Sequence, residues 1–420
     1  LTHQPSRAHQ PRQPAQTHQT AQTRQAAQTR QAAQAHRGAL VSVTPLLTLR
    51  DKAAVRAELT ADGFSPASAR FGVRTYRLVY RTVSATGRPT TASGLLALPI
   101  SGQRRLPVVS FTHGTEVNRH DAPSMSPHGF EPAPAYTYAS AGFAVADPDY
   151  LGLGTGPGLQ PWMDVPAETS AALDMLRAAR AYIDEHGRTL NHKVLITGFS
   201  QGASAALGLG RALQQGAGRF FRVGALAPVS GAYELRHAEI PAILNGELAR
   251  LDPQRGPKYE VLYTALALVA FDRVHRIYRS TAVVFRKPYA RTIDRLLDGN
   301  TPDLQVAMDT PNRLSQLLTR RGFAMLRHPS GAFAAALRSA DSVCAGWTPA
   351  APTRLYYAVR DEQAVNANTF DCQRGFAAGG AHVPVISLGT PDYQKSRHYG
   401  SNMAGTARIV RWFLQLTHGG

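Results

Sequence analysis

The feature that most constrains this chain is Gly198-Phe199-Ser200-Gln201-Gly202, which lies between the apolar run Val194-Leu195-Ile196-Thr197 and an Ala- and Leu-rich stretch at 203–213. A strand can pass straight into a helix through a serine at this spacing only by a sharp turn that holds the serine in a strained backbone conformation. Side chains at Gly198 or Gly202 would collide with neighbouring backbone in such a turn. Ser200 Oγ is then expected above the edge of a sheet and at a helix N-terminus, where amide hydrogens and the helix dipole favour a developing anion. The ordinary role for a serine in this place is a helix N-cap; the strand, turn and helix context points instead to a nucleophile.

That turn needs a sheet, and from residue 70 onward the chain alternates short β-rich runs with helical stretches. Strands are predicted at 74–83, 92–98, 107–112, 143–147, 193–197, 223–228, 354–359 and 383–388. The rhythm predicts an α/β fold with a mainly parallel sheet flanked by helices. It stops over 232–340, where the chain reads as several helices; in 259–278, for example, Val261, Leu262, Leu266, Val269 and Val274 recur at near-helical spacing. Such a stripe is either the packing face of a helical insertion or a cap lining an acyl pocket. The expected organisation is a tail (1–38), a first core segment (39–231), the helical insertion (232–340) and a second core segment (341–420).

A nucleophilic serine needs a base, and in a fold of this kind the chain order is Ser, then Asp or Glu, then His. Of 15 histidines, only His382, His398 and His418 lie beyond the next strand after the insertion. His382 precedes the last predicted strand and His418 is at the C-terminal end. His398 follows that strand and precedes the predicted last helix at 402–416, which makes it the expected base. The carboxylate should end the strand before it, and the residues there are Arg360-Asp361-Glu362-Gln363. Asp361 is the first candidate and Glu362 its competitor. The acid would hold the His398 tautomer and stabilise the imidazolium formed when Ser200 loses its proton. Oxyanion donors are expected from the amide of Gln201 and from the turn after the strand at 107–112, His113-Gly114-Thr115, near Gly114 or Thr115. His113 itself is read as a residue that shapes the turn.

Charge and composition exclude other classes. Lys and Arg number 46 against 28 Asp and Glu, a net +18, and five of those positive charges are arginines in the acid-free segment 1–38. That segment repeats Gln, Thr and Ala and has almost no large apolar side chain, so it reads as a disordered, solvated arm. No aromatic residue is interleaved with its arginines, and arginine outnumbers lysine throughout, so no nucleic-acid partner is expected. No apolar run approaches the roughly 20 residues that span a bilayer, so an integral membrane protein is not expected. The glycines at 152 and 154 fail the dinucleotide pattern because Pro157 stands where glycine is needed, and neither a phosphate loop nor a His-Glu-x-x-His motif occurs. No cofactor and no metal is expected in the reaction. Cys344 and Cys372, spaced 28 apart, are read as a disulfide that would brace the acid loop, with two buried thiols as the alternative. No export signal precedes the tail, and one already cleaved is the expectation.

The segments Thr112-His113-Gly114-Thr115, Pro148-Asp149-Tyr150-Leu151-Gly152, Gly198 to Gly202, Trp347-Thr348-Pro349 and His398 with Trp412-Phe413 carry a resemblance. Over roughly residues 70–416 the chain resembles the secretory lipase family of α/β-hydrolases, the group of lipase A type enzymes. The resemblance implies an exported serine carboxylic ester hydrolase, acting on small-molecule or lipid esters, with a lipid–water interface as a place of action and an inserted lid. It also implies that Asp149 builds or orients the oxyanion hole. Two other readings stand beside it. An aminopeptidase or amidase would use the same triad with a carboxylate for the substrate amine, for which Glu239, Glu247, Glu260 and Asp272 are at hand, although a solvated helix face is the plainer role for those acids. A non-catalytic α/β-hydrolase-like binding protein would keep the sheet and lose triad members.

Overall fold

The structure is a computed structural model that describes residues 36–418, so the expectation for the tail falls almost wholly outside the described residues. A nine-stranded sheet organises it: β1 (Leu40–Leu49), β2 (Gly72–Val83), β3 (Pro89–Ile100), β4 (Arg105–Thr112), β5 (Ala144–Pro148), β6 (Thr189–Phe199), β7 (Arg222–Val229), β8 (Leu355–Tyr357) and β9 (Val385–Ser387). The spatial order is β1-β2-β3-β5-β4-β6-β7-β8-β9. The first three strands and the β3–β5 pair are antiparallel; every later pairing is parallel. All eight predicted strands are present with shifted ends. β1 was not expected; it is an edge strand with Pro45 inside it, and only an edge tolerates a residue that cannot donate to the ladder.

Residues of the central strands alternate between two apolar layers. Val194 and Ile196 of β6, with Leu226 of β7, pack on one face beside helices α3 (Val165–Glu185) and α4 (Gln201–Gln214). Leu195, Ala225 and Ala227 point to the other face, towards α1 (Lys52–Ala61), α2 (Ala133–Ala141) and the last helix. A strand buried on both faces reads as a continuous apolar run, which is why 194–197 shows no polar alternation. Helix α4 is buried nearly all round because it crosses the middle of the sheet. Gly208 and Gly210 permit this, since a Cβ would fall 2.4 Å from Thr169 Oγ1 at the first and 2.6 Å from Leu226 Cδ2 at the second.

Between β7 and β8 the chain leaves the sheet for a run of helices whose longest members are α5 (Gly256–His275) and α6 (Gly331–Ala340). Val261, Leu268 and Phe271 of α5 and Phe333 and Leu337 of α6 form a third apolar cluster, which also takes in Trp162, Met163 and Val365 from the sheet side. After β8, α7 (Ala367–Ala378) carries Cys372, which is bridged to Cys344 at the end of the inserted helices, with Cα atoms 5.0 Å apart. The final helix, α8, spans Arg397–His418, five residues earlier than predicted. No helix among the described residues is long and apolar enough to cross a membrane.

Candidate active site

The turn from β6 into α4 places Ser200 at φ 57° and ψ −121°, outside the regions an L-residue ordinarily occupies. The flanking glycines are required by space. A Cβ on Gly198 would sit 2.2 Å from the carbonyl oxygen of Gly202, and one on Gly202 would sit 1.9 Å from that of Thr112. The Ser200 amide donates to Val229 O at 2.9 Å, which ties the turn to β7.

His398 Nε2 lies 2.8 Å from Ser200 Oγ. On the other side of the ring, Nδ1 is 2.9 Å from both oxygens of Asp361. Asp361 Oδ1 also accepts the amides of Gln363 at 3.0 Å and Ala364 at 2.9 Å. His398 and Asp361 are each 1% exposed, so their hydrogen bond is shielded from water. The imidazole packs 4.7 Å from the Phe199 ring, which limits its freedom to turn.

Geometry separates the two candidate acids. Glu362 does not face the imidazole; it accepts Ser396 Oγ at 2.5 Å and the amides of Arg397 and His398 at 3.2 and 3.4 Å. It is an anion at the N-terminus of α8, satisfying amides that have no partner within the helix. His398 is therefore held twice, by Asp361 on its ring and by Glu362 on its backbone. His382 is exposed, and His418 ends α8 beyond the residues whose side chains are described.

The turn after β4 crosses directly over Ser200: a Cβ on Gly114 would be 3.0 Å from the Phe199 ring and 3.7 Å from Ser200 Cβ. Three side-chain hydrogen bonds that the sequence did not signal hold it and its surroundings. Trp162 Nε1 donates to Thr115 Oγ1 at 2.9 Å, Tyr150 OH donates to the His113 carbonyl at 2.9 Å, and Gln201 Nε2 donates to Glu168 Oε1 at 2.7 Å. The residues in these pairs are 33 to 47 apart in sequence, so no local pattern signals them. Asp149 turns its carboxylate to Ser93 Oγ, Ser124 Oγ and the Ser124 amide, at 2.5, 2.5 and 2.9 Å. Its neighbour Tyr150 is the one that reaches the turn. His113 is fully buried on the Tyr150 ring, 4.4 Å between centroids, and burial lowers its pKa to about 4.

No family model matches the sequence, and no curated protein matches it. Solved structures do. The rice cell wall degrading esterase LipA from Xanthomonas oryzae superposes with a TM-score of 0.77 at 24% identity, over 91% of this chain and 99% of that one. A putative hydrolase from Legionella pneumophila gives 0.76 at 21% identity, over 90% and 98%. Candida antarctica lipase A in its closed state gives 0.65 at 16% identity, over 91% and 83%. The chain has the α/β-hydrolase fold.

In this α/β-hydrolase structure the inserted helices roof a cavity whose floor is Ser200, Gln201 and Thr115. Its volume is about 690 Å³ with the open solvent at its mouth included, and its walls are mainly apolar, with Ile243, Leu326, Phe333 and Leu337 among them. Tyr263 of α5 lines it too and donates to Gln363 Oε1 at 2.5 Å, which joins the roof to the acid loop. Of the four inserted acids weighed as amine ligands, only Glu239 reaches the cavity. It accepts the Val365 amide at 3.0 Å and Asn368 Nδ2, and burial raises its pKa to about 8. None of the four lies on a fully solvated helix face: Glu239 and Glu260 are buried, and Glu247 and Asp272 are half-buried. Glu260 accepts the Ala249 amide and Asp272 that of Tyr278, which accounts for their burial.

Proposed function

We propose that the chain is a serine carboxylic ester hydrolase that works through an acyl-enzyme. The observation that carries the reading is the buried, hydrogen-bonded sequence Asp361, His398, Ser200 opening into an apolar cavity. Ser200 Oγ attacks the ester carbonyl while His398 Nε2 takes its proton, and Asp361 keeps Nδ1 protonated and stabilises the imidazolium. The amides of Gln201 and of the Gly114–Thr115 segment hold the oxyanion. His398 then gives the proton to the leaving alkoxide, releasing the alcohol and leaving the acyl group on Ser200. Water enters, His398 removes its proton, and the acid departs as Ser200 recovers its hydrogen. Every group in the cycle belongs to the chain, so no cofactor takes part.

The apolar walls suit an acyl chain, and small-molecule or lipid esters are the substrate class, with residues 232–340 acting as a cap. Ester cleavage is also what LipA and the Candida lipase are named for. Action at a lipid–water interface and export to an oxidising compartment complete the proposal; the disulfide is consistent with the latter. The amidase reading loses support at Glu239, because a carboxyl with a pKa near 8 is largely neutral at pH 7 and makes a poor ligand for an ammonium group.

A p-nitrophenyl ester series from acetate to palmitate tests the proposal. Turnover with an optimum at one chain length is expected, and the position of that optimum distinguishes a lipase from a short-chain esterase. A folded protein that turns over none of the series would overturn the ester reading.

A further inference from the structure

Beside the catalytic cluster, and outside the mechanism, acids gather where the rest of the chain is basic. Glu116, Asp121 and Asp303 bring carboxylate oxygens within 4.8 Å of one another, and Glu116 likewise meets Glu131 and a ring nitrogen of His113. Among the described residues, none of the four carboxylates forms an ion pair with Lys or Arg. Burial pushes the carboxyls of Glu116 and Glu131 up towards the protonated form, and the two carboxyls face each other and can share a proton, whose place a cation can take.

A second observation points to what that cation binds. His113 is 1% exposed, and neither of its ring nitrogens has a partner of hydrogen-bonding geometry; the backbone at Asp149 and Gly114 lies near, as do the two glutamates. Buried imidazoles are ordinarily satisfied. The face of this one is occupied by Tyr150, and one ring nitrogen, at the ring edge, lies within 4.8 Å of carboxylate oxygens of the two glutamates. The far side of the cluster, at Asp303, is exposed, which leaves a route for an ion from solvent.

We propose that His113, Glu116 and Glu131 form a binding site for one divalent cation of the zinc or manganese class, with Asp121 and Asp303 adding negative charge at its entrance. One imidazole with two carboxylates suits those ions; an all-oxygen set would favour calcium or magnesium. His113 and Glu116 are the two ends of the turn that contains Gly114 and Thr115, so a bound ion would clamp that turn over Ser200. Arg119 N donates to Gly299 O at 2.8 Å, so the same loop already touches the inserted helices, and Asp303 brings them to the ion. Binding of the ion does not depend on the ester hydrolase reading.

The test uses the full chain, stripped with EDTA and dialysed, and titrated with Zn²⁺ and separately with Mn²⁺ by calorimetry and thermal unfolding. One equivalent should bind, and at about a hundredfold excess over Kd the Tm should rise by about 4 °C. Both effects should disappear in Glu131→Gln and in Glu116→Gln. No binding to the stripped wild type, or binding that persists unchanged in both variants, would overturn the proposal. Should a variant fail to fold, the zinc absorption edge of the loaded wild type decides. One nitrogen with oxygen ligands supports the site, and a shell of several imidazoles, which would implicate His3, His9, His18 and His36, overturns it.

Discussion

The geometry around His398 gives opposite expectations for two adjacent acids. In Asp361→Asn, the side-chain oxygen is best left where Oδ1 accepts the amides of Gln363 and Ala364. Nδ1 then faces the retained oxygen and the new NH₂ group at equal distance, and where the NH₂ donates to it Nδ1 must accept, which moves the ring proton to Nε2. A protonated Nε2 donates to Ser200 Oγ and can no longer take its proton. In a serine protease triad this tautomer error lowers kcat by about 10⁴, and the same order, about 5 kcal/mol of transition-state stabilisation, is expected here. Glu362→Gln keeps the acceptor for Ser396 Oγ and the His398 amide but loses the charge and the second oxygen, which accepts the Arg397 amide, so it should cost about 1 to 2 kcal/mol of stability and less than about tenfold in kcat. Steady-state hydrolysis of p-nitrophenyl butyrate, with Tm as a control for folding, measures both. Activity within tenfold of wild type in Asp361→Asn, together with a thousandfold loss in Glu362→Gln, would refute the assignment of the acid.

Three further outcomes follow from the packing. Replacing Cys344 and Cys372 by serine should lower stability by about 3 to 4 kcal/mol in urea unfolding, the chain-entropy value for a 28-residue loop; an unchanged midpoint would count against a bridge that constrains the acid loop. Gly202→Ala should yield poorly folded, inactive protein, because its Cβ would meet Thr112 O at 1.9 Å and the strand cannot withdraw without losing its ladder to β6; a soluble, active variant would show that the turn is looser than described. Burial raises the Glu239 pKa from 4.5 to about 8, so the folded state holds this proton more tightly than the unfolded state does. Its contribution to stability is complete below about pH 4.5 and is lost as pH rises towards 8, so Glu239→Gln should flatten the stability curve over that window and unfold at higher urea than wild type at pH 8.

The residues proposed to react could be singled out in the sequence because they lie where local rules are strong. The glycines at 198 and 202 have no sterically acceptable substitute; chain order reduced fifteen histidines to His382, His398 and His418, and only His398 lies between the last predicted strand and the last predicted helix. What was missed depends on tertiary contact. The start of α8 was expected at 402, but the helix begins at Arg397 and includes Gly400, where glycine is required by a tertiary contact: a Cβ would fall 2.6 Å from the Pro391 backbone. With the helix start misplaced, the capping role of Glu362 could not be read, and Asp361 and Glu362 stayed in competition. Trp162, Glu168 and Tyr263 act across long sequence separations, and no periodicity reports such pairs. The acids of the insertion read as solvated because burial of a carboxylate by one backbone amide leaves no mark on composition.

The most direct test of the central claim is covalent. A fluorophosphonate probe applied to wild type, Ser200→Ala and His398→Ala, followed by peptide mass spectrometry, reports which oxygen is activated. The account predicts stoichiometric labelling at Ser200 in the wild type, none in Ser200→Ala and a labelling rate lower by about three orders of magnitude in His398→Ala. Label on another residue, or equal labelling rates with and without His398, would contradict it.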